Sequence, residues 1–167
     1  MRDEVFGYVL HPVDLATNKV AAAYGRREPR DIVDLLTIHD RILPMGAVVW
    51  AASGKALGFT PEGIIQEIRR VANYMDADFR RLASDPPVDP GATMLRLREI
   101  LAEAEVFVSR MPTAKAGLLF LQGDKVVQPD PVRLGEYQTH EGQRRGHWPG
   151  NSEITSAMLE RGHGSEK

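Results

Sequence analysis

Apolar residues recur at three- and four-residue steps from residue 12 to residue 110, and this period predicts a chain built mainly of amphipathic helices. Val13, Ala16, Val20 and Tyr24 mark one helical face. Pro12 suits the first position of that helix, and Gly25 can end it by taking the left-handed conformation. A second helix opens at Pro29, with Ile32, Val33, Leu35, Leu36 and Ile38 toward the core and Arg30, Asp31, Asp34 and Thr37 toward the other side. Met45 to Leu57 is apolar nearly all round, which predicts a buried helix stopped by Gly58. Thr60 caps the next helix, Pro61 sits in its first turn, and Ile64, Ile65, Ile68, Val71, Ala72 and Met75 form its stripe. A short helix over Asp76 to Ser84 is broken by Asp85-Pro86-Pro87. Asp89-Pro90 then opens a long packing helix to Arg110 with Met94, Leu97, Leu101, Ala104 and Val108 on one side.

Strand signals are few. Val5 to Leu10 has strand-like residues, weakened by Gly7, and its pattern offers it no local partner. Leu118 to Leu121 and Lys125 to Gln128, joined by Gln122-Gly123-Asp124, predict a small hairpin. From Pro129 onward Pro, Gly, Gln and charge dominate. Leu134, Tyr137, Trp148 and a short helix over Ser152 to Arg161 are the expected anchors of an extended, partly mobile tail. The expected fold class is therefore mainly α (α+β), a helical bundle with one N-terminal strand and a small β-hairpin.

Composition narrows the functional classes. A chain of 167 residues with 43% hydrophobic content can bury a real core, and a formal charge of −2 provides no global attraction to polyanions. Any such binding must come from local clusters such as Arg26, Arg27 and Arg30. Without cysteine there is no disulfide or thiolate chemistry, and no apolar run approaches the roughly 18 residues that span a bilayer. A soluble, cytoplasmic chain with no membrane partner is expected.

The densest candidate chemistry lies at the corner between the first two helices. Lys19 is a compact cation near Arg26, Arg27 and Arg30, a set able to hold the phosphates of a nucleotide. Asp31 and Asp34, three residues apart, occupy neighbouring parts of one helix face, where one can act as a base or position a metal-bound phosphate. An alternative needs no chemistry: Asp31 favours the helix dipole, Lys19 is solvated and Arg30 pairs with a carboxylate. The five histidines are scattered without metal-ligand spacing. His11 beside Pro12 reads as a cap contact, His39 before Asp40 as a helix-end histidine, and Asp76-Ala-Asp78 as a loop or capping feature. Trp50 reads as core, and Trp148, near Arg144, Arg145 and His147, as a stacking or pinning residue.

The run Asp14-Leu15-Ala16-Thr17-Asn18-Lys19, then Gly25-Arg26-Arg27-Glu28-Pro29-Arg30-Asp31 and Asp34-Leu35, resembles the third and fourth motifs of the AbiEii/AbiGii toxin family of nucleotidyltransferase-like proteins. The later helices, the hairpin over Gly117 to Val127 and the tail pattern Tyr137 to Pro149 resemble that family more loosely. The resemblance implies a polymerase β-like nucleotidyltransferase core joined to a helical domain. Residues 1–44 would be the partial core, 45–128 the helical domain with its terminal hairpin, and 129–167 the tail. It also implies Mg²⁺-dependent transfer from a nucleoside triphosphate (NTP) to an RNA acceptor such as tRNA, in a toxin–antitoxin setting with an antitoxin as partner. Lys19 and Asp31 would be catalytic. Lys19, Arg26, Arg27 and Arg30 would bind nucleotide, with Asp34, Asp14 and Asn18 in support. The family's glycine turn and Asp-x-Asp strand are absent, so no metal ligand is assigned. A two-metal mechanism needs closely placed carboxylates. The chain accordingly reads as the carboxy-terminal portion of a larger enzyme, with little turnover by itself and an upstream-encoded catalytic half. The alternative reading is a noncatalytic helical protein- or RNA-binding module.

Overall fold

The structure, a computed structural model, describes residues 2–3, 7–8, 10–55, 58–84 and 86–141. Two short strands, β1 (Arg2–Asp3) and β2 (Gly7–Tyr8), precede the helices α1 (Pro12–Gly25), α2 (Pro29–Arg41) and α3 (Met45–Ala52). A 3₁₀ turn at Ser53–Lys55 follows, then α4 (Pro61–Val71), α5 (Asp76–Arg80) and α6 (Pro90–Arg110). The strands β3 (Leu118–Gln122), β4 (Lys125–Val127) and β5 (Gln138–Glu141) close the described chain. Among the described residues no helix is long and apolar enough to cross a membrane.

The caps arise from local chemistry. His11 Nδ1 accepts the Val13 N–H at 3.2 Å, Thr60 Oγ1 that of Gly63 at 3.0 Å, and Asp89 Oδ1 that of Ala92 at 3.1 Å. Each occupies an N–H that the first helical turn leaves unbonded. Gly25 is used differently from the expectation. It stays helical, and the chain leaves through Arg26 in extended backbone (φ −148°), whereas Gly58, at φ 86°, takes the left-handed conformation. The apolar helix expected to run to Leu57 ends at Ala52 instead, where Ser53 Oγ donates to the Trp50 carbonyl at 2.7 Å and the chain tightens into the 3₁₀ turn. Similarly, α4 stops at Val71, leaving Met75 outside the helix and 70% exposed rather than on the core stripe. The helix expected over Asp76 to Ser84 closes at Arg80.

Sheet content departs furthest from the pattern. Instead of a lone early strand, Gly7–Tyr8 pairs antiparallel with Arg2–Asp3, a partner too short and polar for hydrophobic alternation to reveal. The predicted hairpin forms, with Phe120 opposite Val127 and Gly123 at φ 61° in its turn. It gains a third strand from the expected tail: β5 pairs antiparallel with β3, Leu118 opposite Glu141 and Leu121 opposite Gln138. The order is β4-β3-β5. The Tyr137 ring, edge-on to Phe120 at 6.3 Å, anchors the start of β5. Several expectations fall outside the described residues: Val5, Phe6 and Val9 of the early strand, Asp85, the basic stretch at Arg144 and Arg145, His147 with Trp148, and the Ser152 to Arg161 helix.

One buried cluster runs from Ala16 and Val20 in α1 through Ile32 and Leu35 in α2, Val48 and Trp50 in α3, Ile64 and Ile68 in α4 and Leu97, Ile100 and Leu101 in α6 to Phe120 in β3. Each large apolar side chain so buried contributes about 1.5–3 kcal/mol. Trp50 lies at its centre, as its apolar surroundings predict, its Nε1 donating to the Lys115 carbonyl at 2.7 Å and its ring edge-on to Phe107 at 6.4 Å. Two close approaches leave no room for a side chain: a Cβ at Gly46 would lie 2.8 Å from Phe107 Cδ1, and one at Gly54 would lie 2.9 Å from Gly117 Cα.

Candidate functional site

The short link Arg26–Glu28 turns α1 back on α2, so the last turns of one helix lie beside the first turns of the other. Lys19 and Asp34 meet across this seam, Nζ to Oδ2 at 2.7 Å, both partly exposed. Asp31 does not share Asp34's outward face. It is only 2% exposed, because Arg26 folds over it with Nε donating to Oδ2 at 2.9 Å and Nη2 to Oδ1 at 2.8 Å. That side-on pairing holds the guanidinium above its ordinary range. A buried carboxylate needs such a partner, since removing it from water uncompensated is costly.

The remaining candidates point elsewhere. Arg27 donates from Nη2 to the Asn73 carbonyl and places its guanidinium carbon 5.3 Å from the Tyr74 ring centroid, a cation–π contact. Arg30 is exposed and has no ion pair among the described residues. Asp14 is buried, and it and Asn18, one turn apart on α1, both hold Lys55: Nζ lies 3.4 Å from Asp14 Oδ1 and 2.8 Å from Asn18 Oδ1. Burial pushes the Lys55 ammonium below its usual 10.5, while Asp14 pulls it back up. The structure thus joins Lys19 to Asp34, Arg26 to Asp31, and Asp14 to Asn18 through Lys55. No hydrogen bond or ion pair among the described residues joins Lys19 to Asp31.

Lys55 and Tyr74 are partners of candidate residues, Lys55 at the start of α1 and Tyr74 beside Arg27, although neither stands out in the sequence. For Lys55 the available signal is a lone lysine at the end of an apolar helix, which must find a polar partner when the helix is buried. Tyr74 follows the end of α4, where helical periodicity no longer indicates direction. Outside the corner, His39 Nδ1 accepts the Met45 N–H at 3.1 Å, and Asp78 Oδ2 accepts the Met75 N–H at 2.9 Å, both as helix-end contacts. A cleft of about 430 Å³ lies between α6 and the segment before β5, lined in part by Glu103, Phe107, Arg110, Asp130 and Tyr137. None of the corner residues lines it.

The corner carboxylates, as arranged, do not fit the Mg²⁺ ion that the resemblance implies. Both oxygens of Asp31 face a guanidinium and one of Asp34 takes an ammonium. Among the described residues no group of three or more His, Asp or Glu converges on a point that could hold a metal ion. Comparison with models of protein families, with curated proteins and with solved structures gives no match for this chain.

Proposed function

We propose that this chain is the nucleotide-handling portion of a nucleotidyltransferase-like protein, contacting NTP phosphates or RNA and relying on residues outside it for the metal and the attacking group. The supporting observation is the 2.7 Å contact of Lys19 with Asp34 across consecutive helices, at the corner that also carries Arg26, Arg27 and Arg30. Cations carried on one helical corner, two of them oriented by neighbouring carboxylates, suit the charge of a polyphosphate. An RNA acceptor, an antitoxin and an upstream-encoded catalytic half are the corresponding partners.

The test is Mg²⁺-dependent incorporation of a labelled NTP into RNA by the chain alone and by the chain extended with the residues encoded upstream of it. Incorporation by the extended form, abolished by Lys19→Met without loss of folding, is the expected result. Absence of incorporation in both forms sinks the enzyme reading. A second reading, a noncatalytic helical binding module, is favoured by the internal engagement of Lys19 and Arg26 by carboxylates and of Arg27 by the Asn73 carbonyl, which occupies donors that a catalytic cradle would turn toward substrate. It predicts retention of RNA or a protein partner with no Mg²⁺-dependent incorporation and no sensitivity to Lys19→Met.

A further inference from the structure

A guanidinium has five N–H donors in a fixed fork. Asp31 occupies one edge of Arg26, taking Nε and one Nη2 proton at 2.9 and 2.8 Å. The two protons on Nη1 and the second on Nη2 face away from that carboxylate. The Arg26 side chain is 56% exposed while Asp31 is 2% exposed, so the buried acid is a fixed mount and the outward edge of the guanidinium is presented to solvent. Arg30 immediately precedes Asp31, exposed and with no ion pair among the described residues. Lys19 and Arg27, by contrast, are engaged by Asp34 and by Asn73 with Tyr74.

We propose that Asp31 is a positioning residue that aims Arg26, and that the outward edge of Arg26 together with Arg30 forms a binding site for a phosphate oxyanion. A carboxylate clamped by a guanidinium on both oxygens has its outward edge occupied, and displacing Arg26 would leave Asp31 buried without its counter-charge. A guanidinium already held in orientation loses little freedom on meeting phosphate and can meet two oxygens at once. The site takes an NTP phosphate or a backbone phosphate of RNA. In this choice of ligand the inference rests on the nucleotide-handling reading above, although the aiming of Arg26 stands on geometry alone.

Asp31→Asn separates aiming from simple electrostatics by sign. Removing a negative charge beside an anion site strengthens binding if charge alone matters. Asparagine, however, accepts only one of the two N–H groups and sets its own NH₂ against the other, so Arg26 loses its orientation and binding weakens. Tripolyphosphate binding by the full chain, measured calorimetrically at low salt where surface charge is little screened, is expected to weaken about tenfold in Arg26→Ala, Arg30→Ala and Asp31→Asn. Lys125→Ala is the control and leaves it unchanged.

Arg26→Lys keeps the charge and loses the fork. It therefore tests the idea even if Asp31→Asn fails to fold: an unchanged melting temperature with the same tenfold loss supports it. Wild type that does not bind tripolyphosphate, Arg26→Lys that binds like wild type, or folded Asp31→Asn that binds more tightly overturns it. Displacement of tripolyphosphate by ATP or by a short oligoribonucleotide supports the site and separates the two sources, and displacement by neither overturns the ligand class. Arg26-dependent binding without NTP incorporation by the extended protein defeats the enzyme reading and leaves this inference standing. Incorporation that survives with unaltered phosphate binding in Asp31→Asn does the reverse.

Discussion

Gly25 and Gly117 differ in what a methyl group would cost. Nothing lies within 4 Å of a Cβ built on Gly25, and its backbone stays in the last turn of α1. Gly25→Ala is expected to stabilise the protein by about 0.5–1 kcal/mol, because alanine loses less backbone freedom in a helix. Gly117 sits at φ 87°, and its Cβ would lie 2.8 Å from Gly54 Cα, so Gly117→Ala is expected to cost at least about 2 kcal/mol. Urea midpoints at constant slope check both, and a destabilised Gly25→Ala would contradict the helical assignment of that residue. Residue identity alone could not separate the two. Asp31 teaches the same lesson with charge. Periodicity set it beside Asp34 on a polar face, but the inward fold of Arg26 makes it a buried ion-pair member.

Between elements, the contact of α3 with α6 depends on the absence of a side chain at Gly46, where Phe107 packs against the backbone. Gly46→Ala is expected to destabilise by about 1–3 kcal/mol through overpacking. Phe107→Leu, costly by itself, should recover part of that loss in the double variant, because the smaller side chain vacates the space that the added methyl group needs. Additive effects in a double-mutant cycle would show that the two sites do not meet. The helices α1, α2, α4 and α6 were legible because apolar spacing and caps lie within one segment. The strand β5 was not: Gln138, Thr139, His140 and Glu141 carry no apolar alternation, and their place is set by backbone pairing to β3.

Across the whole molecule, Lys55 ties the turn after α3 to α1 through Asn18 and Asp14, and Gly54 against Gly117 ties the same turn to the entry of β3. Burial lowers the Lys55 pKa from 10.5, so between its folded value and 10.5 the unfolded chain binds the proton that the folded chain releases. Stability from this group therefore rises as pH climbs through that interval toward 10.5. Relative to Lys55→Met, the melting temperature of wild type is expected to increase over that range. A flat difference between the two would mean that Lys55 is not desolvated.

By itself the sequence determined the helical character of the chain, the N-caps at His11, Thr60 and Asp89, the extent of α6 and the burial of Trp50. These follow from interactions spanning a few residues, whose energetics are written in local spacing. Only the tertiary structure decided that Asp31 lies under Arg26, that Lys55 reaches back to Asp14 and Asn18, and that β5 returns to β3. The last two join groups far apart in the chain. In all three the partner is chosen by which surfaces the packed elements leave adjacent, and the cost of burying an unpaired charge or backbone group then requires those partners to meet.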